Sequence, residues 1–159
     1  MKDKSKGGGG LPPKELQRLV LTYLEERFGL ESAHFDGFGL YLASKGRVYL
    51  GPKNLIGGPR IVTLGLLIAR IGGAVKPSTN LLQLFGRKVT RNFIELTREE
   101  AISYAKGGDV ALSDRHVTAS TDGYILLRYQ YLPLGCGLLK GKTVKNMLPK
   151  AKRLELRYL

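Results

Sequence analysis

Gly141-Lys142-Thr143 follows a glycine-bearing stretch, Leu132-Pro133-Leu134-Gly135-Cys136-Gly137, and invites a nucleotide-binding reading. A phosphate loop has the form G-x-x-x-x-G-K-[ST], because its backbone N–H groups must wrap the phosphates over a fixed length. It also leads into a helix whose N-terminus faces the anion. Counting back from Gly141, the first glycine would stand at position 136, which is Cys136. Only Val144 to Leu148 separate the triplet from Pro149. The triplet therefore reads as a glycine-lysine turn beside a strand, and no ATP turnover is expected. A nucleophilic Cys136 would need a base oriented beside it. His34 and His116 lie in other segments, so Cys136 reads as a small buried hydrophobe. Asp109, Asp114 and Asp122 stand at expected turns, where aspartate side chains bond the local backbone, so no metal site is expected. Phe85, Tyr129 and Tyr131 have the chemistry to stack on bases, although such positions are more often core.

Charge is the dominant signal. The 159 residues carry 26 basic and 13 acidic side chains, a net +13. Between Asp36 and Glu95 there is no acid, while Lys45, Arg47, Lys53, Arg60, Arg70, Lys76, Arg87, Lys88 and Arg91 all occur. From Lys140 to Arg157 seven basic residues face one acid, Glu155. A surface that only resists aggregation intersperses its signs. Segregated positive charge suits a polyanion, because each neutralised phosphate releases counterions. Nucleic acid is the expected partner. With 43% hydrophobic residues the chain can bury a core. No apolar run reaches the ~18 residues of a membrane span. The start, MKDKSKGGGG, lacks an apolar signal core and reads as a flexible lead. A single cysteine excludes an internal disulfide. A cytoplasmic protein is expected.

The elements that would carry these residues are legible by periodicity and punctuation. Leu16, Leu19, Val20, Tyr23, Leu24 and Phe28 recur at helical spacing, with Gly29 as the C-cap. Phe38–Ala43 and Arg47–Leu50 read as a hairpin around Ser44-Lys45-Gly46. Ile61–Ile71 reads as a long strand with a bulge at Gly65, followed by a Gly72-Gly73 turn. Pro77-Ser78-Thr79 opens a short hydroxyl-capped helix that Gly86 stops. Asn92–Leu96 is a short strand, and Thr97-Arg98-Glu99-Glu100 is a capping box for a helix ending at Gly107-Gly108. Strands are expected at Val110–Leu112, Val117–Ala119, Tyr124–Tyr131 and Leu134–Leu139, with Leu154–Leu156 closing the sheet. In the long one, Ile125, Leu127, Tyr129 and Tyr131 would share a face opposite Arg128. One helix followed by several short strands points to a small β-barrel.

The strand NFIEL, the helix TREEAISYAKGGDVAL, the hairpin strand GYILLRYQ and the element LPLGCGLL together resemble a PUA domain. The segment KNMLPKAKRLEL resembles the end of the PUA-like module of RNA cytosine-5 methyltransferases. The Pro-Leu-Gly-x-Gly element also resembles the PUA half of two-domain ribosome-assembly factors, which place an α/β pre-PUA domain before it. The resemblance is motif-based over 91–156 and mostly architectural over 11–90. One departure is Ala111-Leu112-Ser113-Asp114, where the PUA pattern has a Pro-Gly pair.

The expected fold is α+β: a flexible lead (1–10), a pre-PUA-like α/β domain (11–90) and a PUA-type small β-barrel (91–159). The resemblance implies RNA binding rather than a reaction. A methyltransferase would need a cofactor-binding Rossmann unit and catalytic cysteines, for which this chain has neither length nor residues. By position, Lys140, Lys142, Lys145, Lys150, Lys152 and Arg153 match the late basic residues that contact RNA in the assembly factors. Lys76, Arg87, Lys88 and Arg91 of the acid-free segment join them as candidates. The expected role is a non-catalytic accessory factor, without metal or cofactor, in rRNA processing, ribosome assembly or RNA modification. Its partners would be RNA (rRNA or tRNA) and pre-ribosomal proteins or a modification enzyme, and no membrane. The alternatives are a detached recognition subunit of an RNA-modifying enzyme such as a cytosine-5 methyltransferase, and a DNA-binding chromatin protein.

Overall fold

The computed structural model describes residues 13–53, 65–112 and 121–153. Expectations for the lead (1–10), Arg60, Asp114, His116, Val117–Ala119 and Leu154–Leu156 fall outside these residues.

Helix α1 (Pro13–Phe28) buries Leu16, Val20, Leu24 and Phe28 completely, one side chain every four residues. Each such burial contributes about 1.5–3 kcal/mol. Leu19, expected on the same stripe, is 42% exposed, so the buried stripe is narrower than the apolar one. Gly29 (φ +69°) ends the helix in the left-handed region. The last-turn carbonyls are then capped from a distance. Thr90 N–H donates to the Phe28 carbonyl at 2.9 Å, the Arg91 guanidinium to Glu25 O at 2.6 Å, and the Asn92 amide to Arg27 O. Free carbonyls at a helix end need such partners.

The first sheet is an antiparallel meander of β1 (Phe38–Leu42), β2 (Arg47–Pro52), β3 (Leu66–Ile71) and β4 (Val75–Pro77). The hairpin β1–β2 forms as expected around Ser44-Lys45-Gly46. Residues 61–64 of the expected long strand lie outside the described residues, and the irregularity within β3 falls at Ile68. Val48 pairs with Ala69 and Tyr49 with Leu67, so the extra residue is Ile68. Its side chain is fully buried, and packing rather than glycine freedom places the irregularity. Helix α2 (Thr79–Phe85) is capped by Ser78, whose hydroxyl accepts from Leu81 N at 3.2 Å.

The second sheet has the order β5 (Phe93–Glu95), β7 (Gly123–Tyr129), β8 (Leu132–Lys140), β9 (Thr143–Asn146) and β6 (Val110–Ala111). Between β5 and β6 runs α3 (Arg98–Ala105), whose N-cap Thr97 accepts from Glu100 N at 3.3 Å. Strands β5 and β7 pair in parallel; the other pairings are antiparallel. The expected strand end at Tyr131 is corrected to Tyr129. Gln130 (φ 47°) and Tyr131 (φ 64°) form the two-residue turn of the β7–β8 hairpin, both in the left-handed region as a type I′ turn requires. Tyr131 therefore leaves the face assigned to it.

Strand β7 serves two cores. Leu126 and Cys136 complete the core formed by α1, α2 and the first sheet, while Ile125, Leu127 and Leu139 pack with α3, Val144 and Leu148. Strand alternation puts consecutive side chains on opposite faces, and here both faces are dry. The glycines of Gly135-Cys136-Gly137 follow from this. A Cβ on Gly135 would meet the Tyr104 hydroxyl at 2.5 Å, and one on Gly137 would meet Val144 at 2.4 Å. The Arg27 guanidinium ties α1 to the hairpin, donating to Tyr124 O at 2.7 Å and to Thr121 Oγ1 at 2.9 Å.

Candidate nucleic-acid interface

The hairpin β8–β9 carries three of the expected cations. Lys140 pairs with Thr143 across Gly141-Lys142, and Gly141 (φ +61°) takes the first central position that a II′ turn reserves for glycine. Asp122 Oδ1 accepts from Gly141 N at 3.0 Å and steadies the turn. Gly141-Lys142 is thus the turn and Thr143 the first residue of β9, the turn reading made from spacing. Lys140, Lys142 and Lys145 are exposed. Leu138 opposes Lys145 and Lys140 opposes Thr143, so Lys140 and Lys145 are diagonal neighbours on one face. Such a diagonal spans about 7–8 Å. Two lysines rooted at that spacing on paired strands, with a third at the tip, form a short track for phosphates.

The other candidates are placed differently. Lys150 and Lys152 lie in a single 3-10 turn after Pro149 and are exposed. Lys152 Nζ donates to Gln83 Oε1 of α2 at 2.8 Å. Arg153 donates from Nε to Leu148 O at 3.2 Å, and its guanidinium lies where a Cβ on Gly107 would stand. Arg91 is engaged in capping α1. Arg87 and Lys88 are exposed on the 3-10 turn after α2, and Lys76 is exposed on β4. The structure thus brings Lys140, Lys142 and Lys145 together and gives Arg91, Lys152 and Arg153 partners within the fold.

Cys136 is 1% exposed, and burial pushes its thiol up to about 12. The thiolate is the reactive form. At pH 8 an aromatic disulfide reagent is therefore expected to leave the native protein unlabelled and to titrate one thiol in urea. Rapid labelling without denaturant would contradict the buried placement. Asp109 Oδ1 accepts from Asn146 N at 2.8 Å; it and Asp122 serve the backbone. Among the described residues no group of three His, Cys, Asp or Glu side chains could hold a metal ion. None of their helices is long and apolar enough to cross a membrane.

Of the three candidate stacking rings, Phe85 is buried and packs on Phe35 with centroids 4.6 Å apart. Tyr129 is half-buried against the second core. Tyr131 is 76% exposed on its turn. Sequence reasoning missed what stands beside it. The Arg128 guanidinium lies 3.7 Å from the Phe93 ring centroid and 5.6 Å from that of Tyr131, and it pairs with Glu95. The parallel β5–β7 register sets Glu95 opposite Arg128, and no local spacing announces that pairing.

Residues 91–154 match the family model described as the methyltransferase RsmF PUA domain. This segment is a PUA domain resembling the C-terminal module of cytosine-5 methyltransferases, and such a domain points to RNA binding. No curated protein matches the chain.

Proposed function

We propose that this protein is a non-catalytic RNA-binding factor that assists rRNA processing, ribosome assembly or RNA modification in the cytoplasm. The carrying observation is the exposed trio Lys140, Lys142 and Lys145 on a rigid hairpin inside the PUA segment. Phosphate contacts from such residues position RNA without reading its sequence. Lys150 on the following turn, with Arg87 and Lys88, adds long-range attraction. The reading of 11–90 as a pre-PUA-like domain and of the second sheet as a closed small barrel belongs to this proposal. So does the view that the chain holds no catalytic unit. The match to a methyltransferase module supports a second reading, a recognition subunit acting in trans for an RNA-modifying enzyme.

The test is RNA affinity against salt. With about four to six phosphates neutralised on single-stranded RNA, log K is expected to fall with log[salt] at a slope of roughly −3 to −4. Changing Lys140, Lys142 and Lys145 together to alanine should flatten that slope by roughly 2, at about 0.7 per lost phosphate contact. Stability should stay within about 0.5 kcal/mol per exposed lysine. Parental affinity and slope in the triple variant would refute the assignment of these lysines.

A further inference from the structure

The outer face of the first sheet holds a feature that the PUA segment does not explain. Arg47 pairs directly with Arg70, and Arg70 directly with Lys76. Residues directly opposite in a sheet share a face, and neighbouring strands lie about 4.8 Å apart. Three cations therefore stand in one row across β2, β3 and β4. Their inward neighbours Val48, Ala69 and Val75 are buried, which fixes the row on the outer side. Like charges directly opposite each other destabilise a sheet, so a fold built for stability alone would intersperse acids. The chain has none between Asp36 and Glu95. Among the described residues no carboxylate pairs with any of the three. Arg47 is pre-positioned: Nε donates to Ser44 O at 3.1 Å and Nη2 to Ser44 Oγ at 2.9 Å.

Beside the row, on the same face, Tyr41 pairs with Tyr49, and Gly39 with Gly51. The Tyr41 ring lies over Gly39, where a Cβ would meet its hydroxyl at 2.6 Å and its ring carbons at 2.8 Å. Its hydroxyl donates to Pro52 O. The glycine floor lets the ring lie down on the sheet, and the hydrogen bond holds it there. Both tyrosines remain partly exposed. A flat aromatic platform next to a row of cations is the recognition chemistry of a single strand: bases stack on the rings and phosphates follow the charges. An acidic protein would use the charges but not the rings.

We infer that this face of the first sheet is a second RNA-binding surface, taking a single-stranded segment across Tyr41 and Tyr49 with its phosphates along Arg47, Arg70 and Lys76. The preference for RNA over DNA rests on the proposed function; the surface itself does not depend on the lysines of β8–β9.

The experiment uses the full chain and a fluorescent twelve-nucleotide oligouridine. Arg70→Gln combined with Lys76→Gln is expected to weaken binding about tenfold and to flatten the salt slope by roughly 1.4. Its melting temperature should be unchanged or higher, since a like-charge pair is removed. Tyr49→Leu is expected to weaken binding roughly five- to a hundred-fold with the slope unchanged. Photocrosslinking of the unmodified protein to 4-thiouridine RNA should label the peptide spanning 38–53, and this readout needs no variant to fold. Parental affinity in both variants, or crosslinks confined to 121–153, would overturn the inference and leave the hairpin lysines untouched. Weakened but retained binding in the hairpin triple variant, with 38–53 still labelled, would support it. Competition by duplex RNA or polyglutamate as strong as by oligouridine would also overturn it.

Discussion

Asn146→Leu is expected to destabilise the protein by about 3–5 kcal/mol, although leucine matches asparagine closely in size. Asn146 is 8% exposed at the end of β9. Its amide donates to Tyr104 O and to Gly108 O, both at 2.8 Å, and its carbonyl accepts from Leu148 N at 2.8 Å. One side chain thus satisfies the C-terminal turn of α3 and the chain leaving β9. Leucine would leave Gly108 O and Leu148 N without partners, each at a cost of about 1–3 kcal/mol when buried, and would take from Tyr104 O one of its two donors, Gly107 N remaining at 2.9 Å. Urea denaturation followed by circular dichroism measures the loss. A change below about 1 kcal/mol would mean that water replaces the amide, and that α3 is not pinned to β9 as described.

Leu126→Ala is expected to cost about 2–5 kcal/mol, the range for a large-to-small change in a rigid core. Its distinguishing result lies in which amides respond. Leu126 is fully buried against the first core, and its N–H donates to Asn92 O at 2.9 Å. Ile125 and Leu127 on either side belong to the second core. Loosening the first core through β7 should therefore lower hydrogen-exchange protection in both sheets by the same free energy. Loss of protection in residues 38–77 alone would show two separately folding units.

Much of the local architecture was readable without coordinates. Helix α1, the β1–β2 hairpin, Ser78 capping α2 and Thr97 capping α3 all rest on spacing and capping chemistry, and both fit within a few residues of sequence. What escaped depends on contacts between distant segments. The apolar run Ile125-Leu126-Leu127 announces a strand but not that its two faces belong to different cores. Gly135 and Gly137 carry no local turn signal, since their reason is the Tyr104 hydroxyl and the Val144 side chain. Gln130-Tyr131 lacks the Asn-Gly pattern that marks a type I′ turn. The same division holds for the site. Lys140, Lys142 and Lys145 cluster in sequence and are found together, whereas the row Arg47, Arg70 and Lys76 exists only through strand register. Helical capping likewise took Arg91, and contacts with α2 and Gly107 took Lys152 and Arg153, in ways that charge counting could not foresee.

The tie from Arg27 to Tyr124 spans 97 residues. During synthesis at about 5–20 residues per second, that separation corresponds to roughly 5–20 s. Throughout that interval α1, joined by α2 once it is made, exists without Leu126 and Cys136, the side chains that complete their core. The side of α2 that Thr79 and Gln83 bond to β8 stays open to other chains until the β7–β8 hairpin arrives. Closing so long a loop before its contacts can form is also what makes folding slow. The hairpin that both cores share therefore leaves the growing chain with open apolar faces, and a nascent-chain chaperone would find its target between α1 and β7.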